Sequence, residues 1–133
     1  MARLLVTGGA GFIGANFVHY WIENHPEDRL VVLDALTYAG NVASLGPAAD
    51  RDGFRFMHGD IRDEDLAERI LKEEGIDTIV HFAAESHVDR SIHGPGEFID
   101  TNIVGTHSLL QAARAAWLDN DKAPSKHRFH HVS

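Results

Sequence analysis

Short apolar runs alternate along this chain with longer stretches in which apolar residues recur at helical spacing. Leu4-Leu5-Val6, Leu30-Val31-Val32-Leu33 and Thr78-Ile79-Val80-His81-Phe82 are too short for helices, and glycine, aspartate or a polar turn bounds each, so they read as buried strands. Phe54-Arg55-Phe56-Met57-His58 and Arg128-Phe129-His130-His131-Val132 read as two further strands. Between them, Phe12 to Asn24 carries Phe17 and Trp21 on one row and Ile13, Val18 and Ile22 on the next, an amphipathic helix that His25-Pro26 ends. A second helix is expected from Glu64 to Glu74, with Asp63 as its N-cap and Gly75 closing it. A third begins near Glu97. Its stripe Ile99, Ile103, Leu110, Ala113 and Trp117 lies beside another made of Phe98, Leu109, Ala112 and Ala116. Two stripes predict two buried faces, one on the sheet and the other against a partner subunit or a further part of the chain.

The connections are uneven. Thr37 to Pro47 reads as a crossover with irregular edges and one short helix around Val42 to Leu45. Ala83 to Gly96 is a polar loop of fourteen residues, long enough to imply a functional part. Strand and helix in repeated alternation predict one α/β domain over residues 1–133, a Rossmann-type doubly wound parallel sheet of about five strands. Such sheets bind ligands beyond the carboxyl ends of their strands, at the topological switch point. Four features fall there: the glycine-rich turn after the first strand, Asp34, Asp60-Ile61, and Ala83-Ala84-Glu85-Ser86.

The glycine-rich turn, Thr7-Gly8-Gly9-Ala10-Gly11-Phe12-Ile13-Gly14, fits either Gly9-x-Gly11-x-x-Gly14 or Gly8-x-x-Gly11-x-x-Gly14. Its glycines permit a tight turn, close approach of backbone to a pyrophosphate, and close packing of helix on strand. The helix that follows offers unpaired N–H groups and a positive dipole end to the diphosphate, so no lysine is needed. Asp34 stands twenty residues beyond Gly14, where a carboxylate binds a ribose 2′-hydroxyl. It would repel a 2′-phosphate, and Ala35-Leu36-Thr37 supplies no arginine to receive one, so NAD is expected rather than NADP. The plainer alternative is a glycine turn with a solvent-facing aspartate. Asp60 is placed to accept from the adenine amino group with Ile61 against the base, the alternative being a turn residue.

Composition narrows the partners. Across 133 residues, twelve Lys and Arg against twenty Asp and Glu give a net charge of −8, which argues against nucleic acid and anionic membrane. The absence of cysteine excludes a disulfide framework and fits a reducing compartment. No apolar run is long enough to span a bilayer, and Arg3 to Val6 is too short for a signal peptide's apolar region, so a cytoplasmic location is expected. Of ten histidines, His127, His130 and His131 are the closest cluster, but no carboxylate or cysteine beside them completes a ligand set. They are read as structural, as is His81 inside its strand, and no metal is expected. Ser86, His87 and Asp89 are too near one another in sequence for a hydrolase triad, and no nucleophile elbow accompanies them.

The glycine loop resembles that of the extended short-chain dehydrogenases that modify nucleotide sugars. Three more stretches narrow the likeness: Asp34 to Asn41, Ala83-Ala84-Glu85-Ser86-His87-Val88-Asp89-Arg90-Ser91, and Thr101-Asn102-Ile103-Val104-Gly105-Thr106. Together they are similar to the dTDP-glucose 4,6-dehydratase family over essentially the whole chain. The resemblance implies a lyase of deoxysugar biosynthesis, a homodimer when intact. Bound NAD takes hydride from the sugar's fourth carbon, water leaves across the fifth and sixth, and the hydride returns to the sixth. It further implies Gly8, Gly11, Phe12, Ile13 and Gly14 at the pyrophosphate, Asp34, Ala35, Leu36 and Thr37 at the adenosine ribose, and Asp60 and Ile61 at adenine. Phe82, Ala83, Ala84, Glu85, Ser86 and Thr101 then lie toward the nicotinamide, with Ser86 also touching the sugar of dTDP-glucose or a similar nucleotide sugar.

The family's Thr-Asp-Glu segment and its Tyr-x-x-x-Lys pair, which supply acid and base, do not occur in these 133 residues: Tyr20 and Tyr38 have no lysine four residues on. No catalytic residue is therefore expected within the chain, which corresponds to the N-terminal part of such an enzyme and is expected to be inactive alone. The alternatives are a catalytically inactive NAD-binding module and the N-terminal part of a nucleotide-sugar 4-epimerase. A parallel sheet that stopped at the fifth strand would leave an edge and helices uncovered, so the isolated segment is expected to be poorly soluble or partly molten.

Overall fold

The structure, a computed structural model, describes residues 1–9, 12–35, 45–46, 51–82, 100–121 and 123–132, with the backbone alone at 100–102. The strands are β1 (Arg3–Thr7), β2 (Arg29–Asp34), β3 (Phe54–His58), β4 (Thr78–His81) and β5 (Arg128–His131). All pair in parallel, in the order β3-β2-β1-β4-β5. Helix α1 (Phe12–Asn24) follows β1, α2 (Glu64–Glu73) follows β3, and α3 (Thr106–Trp117) precedes β5. The chain thus builds outward from β1 in one direction through β2 and β3, then returns to β1's other side for β4 and β5. That reversal is the switch point of a doubly wound sheet, as the alternating pattern predicts.

Side chains of the central strands alternate between two cores. Leu4, Val6, Leu30, Val32 and Val80 meet Ala15, Val18 and Ile22 of α1. Leu5, Val31, Leu33 and Ile79 meet Ala67, Ile70 and Leu71 of α2 together with Leu109, Ala112, Ala113, Ala116 and Trp117 of α3. Both faces being covered, the middles of β1 and β2, Leu4 to Val6 and Leu30 to Leu33, must be apolar rather than alternating, and this is why they read as continuous runs. The edge strands β3 and β5 are mostly half-buried or exposed and carry arginine and histidine among their apolar positions.

Local signals account for the ends. The Asp63 carboxylate accepts the Leu66 N–H at 3.0 Å and caps α2. Gly75, at φ 62°, turns the chain out of that helix, and the Ile76 N–H returns to the Leu71 carbonyl at 3.0 Å. Arg3 Nη1 donates to the Glu74 carbonyl at 3.1 Å, tying the same end to β1. Trp117 Nε1 donates to the buried Ile76 carbonyl at 2.8 Å and fixes the far end of α3.

Two periodicity readings differ from what forms. Phe12 and Ile13 are 83% and 66% exposed, because the first turn of α1 overhangs the glycine turn, beyond the ends of the strands; burial starts at Gly14 and Ala15. In the third helix the stripe of Leu109, Ala112 and Ala116 is buried, joined by Ala113 and Trp117, while Ile103, Val104 and Leu110 stay exposed. For Ile103 and Val104 the physical reason is that residues Asp100–Gly105 form a π-helical segment, whereas Leu110 lies within α3 itself, on the flank of its buried arc. The segment's wider turn puts the positions before Thr106 out of phase with those after it, so a stripe drawn at constant period through both does not hold. Of the short helix expected near Val42 to Leu45, only Leu45 is among the described residues, and its side chain is buried in the α1-side core.

Leu109→Ala is expected to cost about 2–5 kcal/mol, against under about 0.5 kcal/mol for Leu110→Ala on the exposed face. Urea unfolding of the two variants measures this, and equal losses would mean that α3 does not pack through Leu109.

Candidate functional site

The carboxyl ends of β1, β2, β3 and β4 meet at one edge of the sheet, and the glycine turn lies at its centre. Gly8 has φ 72° and donates its N–H to the Leu33 carbonyl at 3.0 Å, so the chain leaves β1 in a left-handed turn held against β2. A Cβ on Gly9 would stand 2.7 Å from Val32 Cγ1, and one on Gly14 would stand 2.2 Å from the Gly8 carbonyl oxygen. Both glycine spacings thus have a structural meaning: Gly8 makes the turn, Gly9 presses on β2, and Gly14 lets α1 lie directly on the turn. The first turn of α1 contains no acidic residue, so its positive end keeps its attraction for an anion.

The next strand ends carry carboxylates. Asp34 closes β2, is 8% exposed, and its carbonyl accepts the Gly59 N–H at 3.1 Å. Gly59 has no room for a side chain, since a Cβ there would meet Leu66 Cδ2 at 2.5 Å; the β3 end therefore drops close against α2. His58 Nε2 donates to the Ala35 carbonyl at 3.0 Å, fixing the residue after Asp34. Asp60 follows Gly59. Its Oδ1 accepts the Arg62 backbone N–H at 2.9 Å, and its Oδ2 accepts Arg62 Nε at 3.0 Å and Nη2 at 2.6 Å. Hydrogen bonding to the Arg62 side chain holds the Asp60 carboxyl below the usual carboxylate range against the opposing effect of its partial burial. Ile61 is 4% exposed, and its side chain belongs to the core on the α2 side.

On the other side of β1 the Phe82 N–H donates to the Thr7 carbonyl at 2.9 Å, and the Phe82 ring packs on Phe17 of α1 with centroids 5.3 Å apart. His81 is 1% exposed. Its Nδ1 lies 2.6 Å from Thr7 Oγ1 and its Nε2 2.9 Å from Thr106 Oγ1. Burial, reinforced by the neighbouring His131, pushes the imidazole down to about 4, so it is neutral near pH 7.

The structure therefore gathers Gly8, Gly14, Asp34, Ala35, Asp60, Ile61 and Phe82 along one edge, with Phe12 and Ile13 exposed above it. Thr101 lies in the π-helical segment. Gly11, Leu36, Thr37, Ala83, Ala84, Glu85 and Ser86 lie outside the described residues. The bridge from Thr7 through His81 to Thr106 is not legible in sequence, because its members are separated by 74 and 25 positions. Thr7 and His81, the polar residues that close the apolar runs of β1 and β4, are its one local signal. Of the histidine cluster, His127 stacks on Trp117 at 4.8 Å and His131 on His81 at 5.0 Å, so different aromatic partners hold the two.

Residues 5–133 match the family described as GDP-mannose 4,6 dehydratase. The chain belongs to this family. Within the GDP-mannose 4,6 dehydratase family it is 53% identical to dTDP-glucose 4,6-dehydratase 1 of Escherichia coli (strain K12), over 98% of this chain and 36% of that protein. The crystal structure of DesIV, a dTDP-glucose 4,6-dehydratase from Streptomyces venezuelae with NAD and TYD bound, superposes with a TM-score of 0.80 at 56% identity, over 86% of this chain and 36% of that one. UDP-glucose 4-epimerase from Thermotoga maritima, solved with UDP-glucose, gives 0.80 at 31% identity, over 98% and 37%. The chain thus spans a little over a third of these relatives' length. The family resemblance and the Rossmann-type parallel sheet expected from the sequence are both borne out.

The depressed His81 value sets a pH dependence. The unfolded chain takes up this proton near 6.5 and the folded chain only near 4, so the stabilisation is complete above pH 6.5 and is lost as pH falls through 4. Between those limits the parent is expected to lose up to about 3 kcal/mol more than His81→Gln. Chemical denaturation across that range measures it, and parallel curves would show that His81 ionises freely in the fold.

Proposed function

We propose that this chain is the NAD-binding N-terminal part of a dehydratase that converts dTDP-glucose, or a similar nucleotide-activated hexose, to its 4-keto-6-deoxy product. The observation that carries the reading is the contact of Gly14 with the Gly8 carbonyl at the switch point, where a Cβ would stand 2.2 Å from that oxygen and lift the start of α1 off the turn. The residues fit the group. The turn and the N-terminus of α1 would hold the pyrophosphate through backbone N–H groups, with Phe12 and Ile13 beside it. Asp34 would accept from the adenosine ribose hydroxyls, and Ala35, Leu36 and Thr37 would line the same side.

Asp60 stays ionised through Arg62, and three of the roughly four lone-pair directions of its carboxylate are taken by that residue. The remaining one, on Oδ1, would accept the adenine amino group, with the Ile61 backbone alongside. Phe82, Ala83, Ala84, Glu85, Ser86 and Thr101 would bound the nicotinamide side, and Ser86 would reach the sugar. NAD supplies a reversible hydride acceptor, and oxidation next to a C–H bond makes that bond acidic enough for elimination. The chain's own part is to bind and orient. The proton-transfer groups of the reaction are assigned to the Thr-Asp-Glu and Tyr-x-x-x-Lys segments that the family resemblance places after Val132-Ser133.

Calorimetric titration tests the cofactor reading: NAD should bind more tightly than NADP, and Asp34→Ala should weaken NAD and narrow the gap. An unchanged preference in the variant would remove the ribose assignment. Gly14→Ala should abolish NAD binding by displacing α1 from the turn, and retained affinity would sink the cradle. For the reaction, the coding sequence past Ser133 should carry Thr-Asp-Glu and then Tyr-x-x-x-Lys, and its product should dehydrate dTDP-glucose. A stop codon there would leave an NAD-binding module, and turnover of UDP-glucose to its 4-epimer instead would favour an epimerase.

A further inference from the structure

His81 is a buried side chain to which the cofactor reading gives no part. It closes β4 beside the end of β1, its ring stacked on His131 at 5.0 Å and tilted against Phe129 at 6.2 Å. Its two nitrogens reach two other elements: Nδ1 is 2.6 Å from Thr7 Oγ1, and Nε2 is 2.9 Å from Thr106 Oγ1. Thr7 is the last residue before the glycine turn, and Thr106 is the first α-helical residue after the π-helical segment Asp100–Gly105.

We propose that His81 is a positioning residue that locks the phosphate cradle after Thr7 to the π-to-α junction at Thr106, so that the two walls of the cofactor site are held as one unit. The proposal rests on the NAD reading of that site. A neutral imidazole has one donor and one acceptor on opposite edges of a rigid ring, and each threonine hydroxyl can play either role. Such a group spans the gap between two hydroxyls while satisfying both, which neither an aliphatic side chain nor a serine in its place would do. A π-helical turn is a rare single-turn departure from α geometry, frequent at functional sites, and an external contact where it ends fixes where the α-helix resumes. Thr106 supplies that contact at the residue where the helix tightens. Thr101 lies five residues earlier in the same segment, so a shift of the junction moves the wall assigned to the nicotinamide. A shift of Thr7 moves Gly8, whose left-handed turn shapes the cradle.

The discriminating variant is Thr106→Val, which removes one hydroxyl without changing the side chain's shape and lies outside the cradle. NAD affinity should fall about tenfold, the scale of one buried polar partner lost, while Thr106→Ser should restore it. Without cofactor, amide hydrogen exchange at Gly8 and Gly9 should quicken in Thr106→Val and not in Thr106→Ser. Parental affinity and parental exchange in a folded Thr106→Val would overturn the proposal, as would a serine variant that loses as much as the valine one. If the parent itself binds no NAD, the cofactor reading fails by itself, and the exchange comparison alone decides the positioning role. Should Thr106→Val not fold, the 15N shifts of His81 in the parent decide it: one fixed neutral tautomer is expected, and a mixture of both would refute the bridge.

Discussion

The structure depends on how closely α1 lies on the turn that precedes it. With a Cβ at Gly14 only 2.2 Å from the Gly8 carbonyl oxygen, no other residue fits there without moving the helix off the sheet. That contact sets the height of α1 above β1 and β2, and so the depth at which Ala15, Val18 and Ile22 enter the core with Leu4, Val6, Leu30 and Val32. The same contact seats on the glycine turn a helix start that carries no acidic residue. Packing on one face and anion affinity at the edge are two consequences of one close approach.

Around that contact, polar groups at the strand ends divide by environment. Asp60 lies near solvent and is kept charged by Arg62, whereas His81 is buried and kept neutral by its surroundings, with a threonine hydroxyl at each nitrogen. The distinction follows from what each must do. A carboxylate that accepts a hydrogen bond from a ligand gains from full charge, while a group inside the sheet must meet its neighbours without the desolvation cost of a charge. Asp34 stands between the two, 8% exposed at the end of the most buried stretch of β2.

Much of this was legible because both determinants are local. Continuous apolar runs mark strands covered on both faces, and Asp63 and Gly75 announce the ends of α2 by chemistry confined to a few residues. The site's first half was legible for the same reason, since Gly8, Gly14 and Asp34 have their places set by one turn and one strand. Reading failed where distant parts decide. Ile13 sits on a helical stripe but has no sheet beneath it, Ile103 falls out of phase within a π-helical turn, and Ile61 turns into the core although its neighbour Asp60 faces the edge. The Thr7–His81–Thr106 bridge was beyond reach, since no spacing rule relates its members.

The chain's charge sharpens the question of why an anion should come here at all. A net charge of −8 repels a diphosphate at long range, and no lysine stands in the described part of the turn to offset it. The answer lies in the difference between two helix ends. The N-terminus of α2 is capped by Asp63 and carries Glu64 and Asp65 in its first turn, so its positive end is already neutralised. The N-terminus of α1 has no acidic residue in its first turn. Of these two helix starts, both at the carboxyl edge of one sheet, only that of α1 keeps its field for a ligand. An anion that reaches the edge therefore meets one attractive end, and it is the end that Gly14 seats directly on the glycine turn.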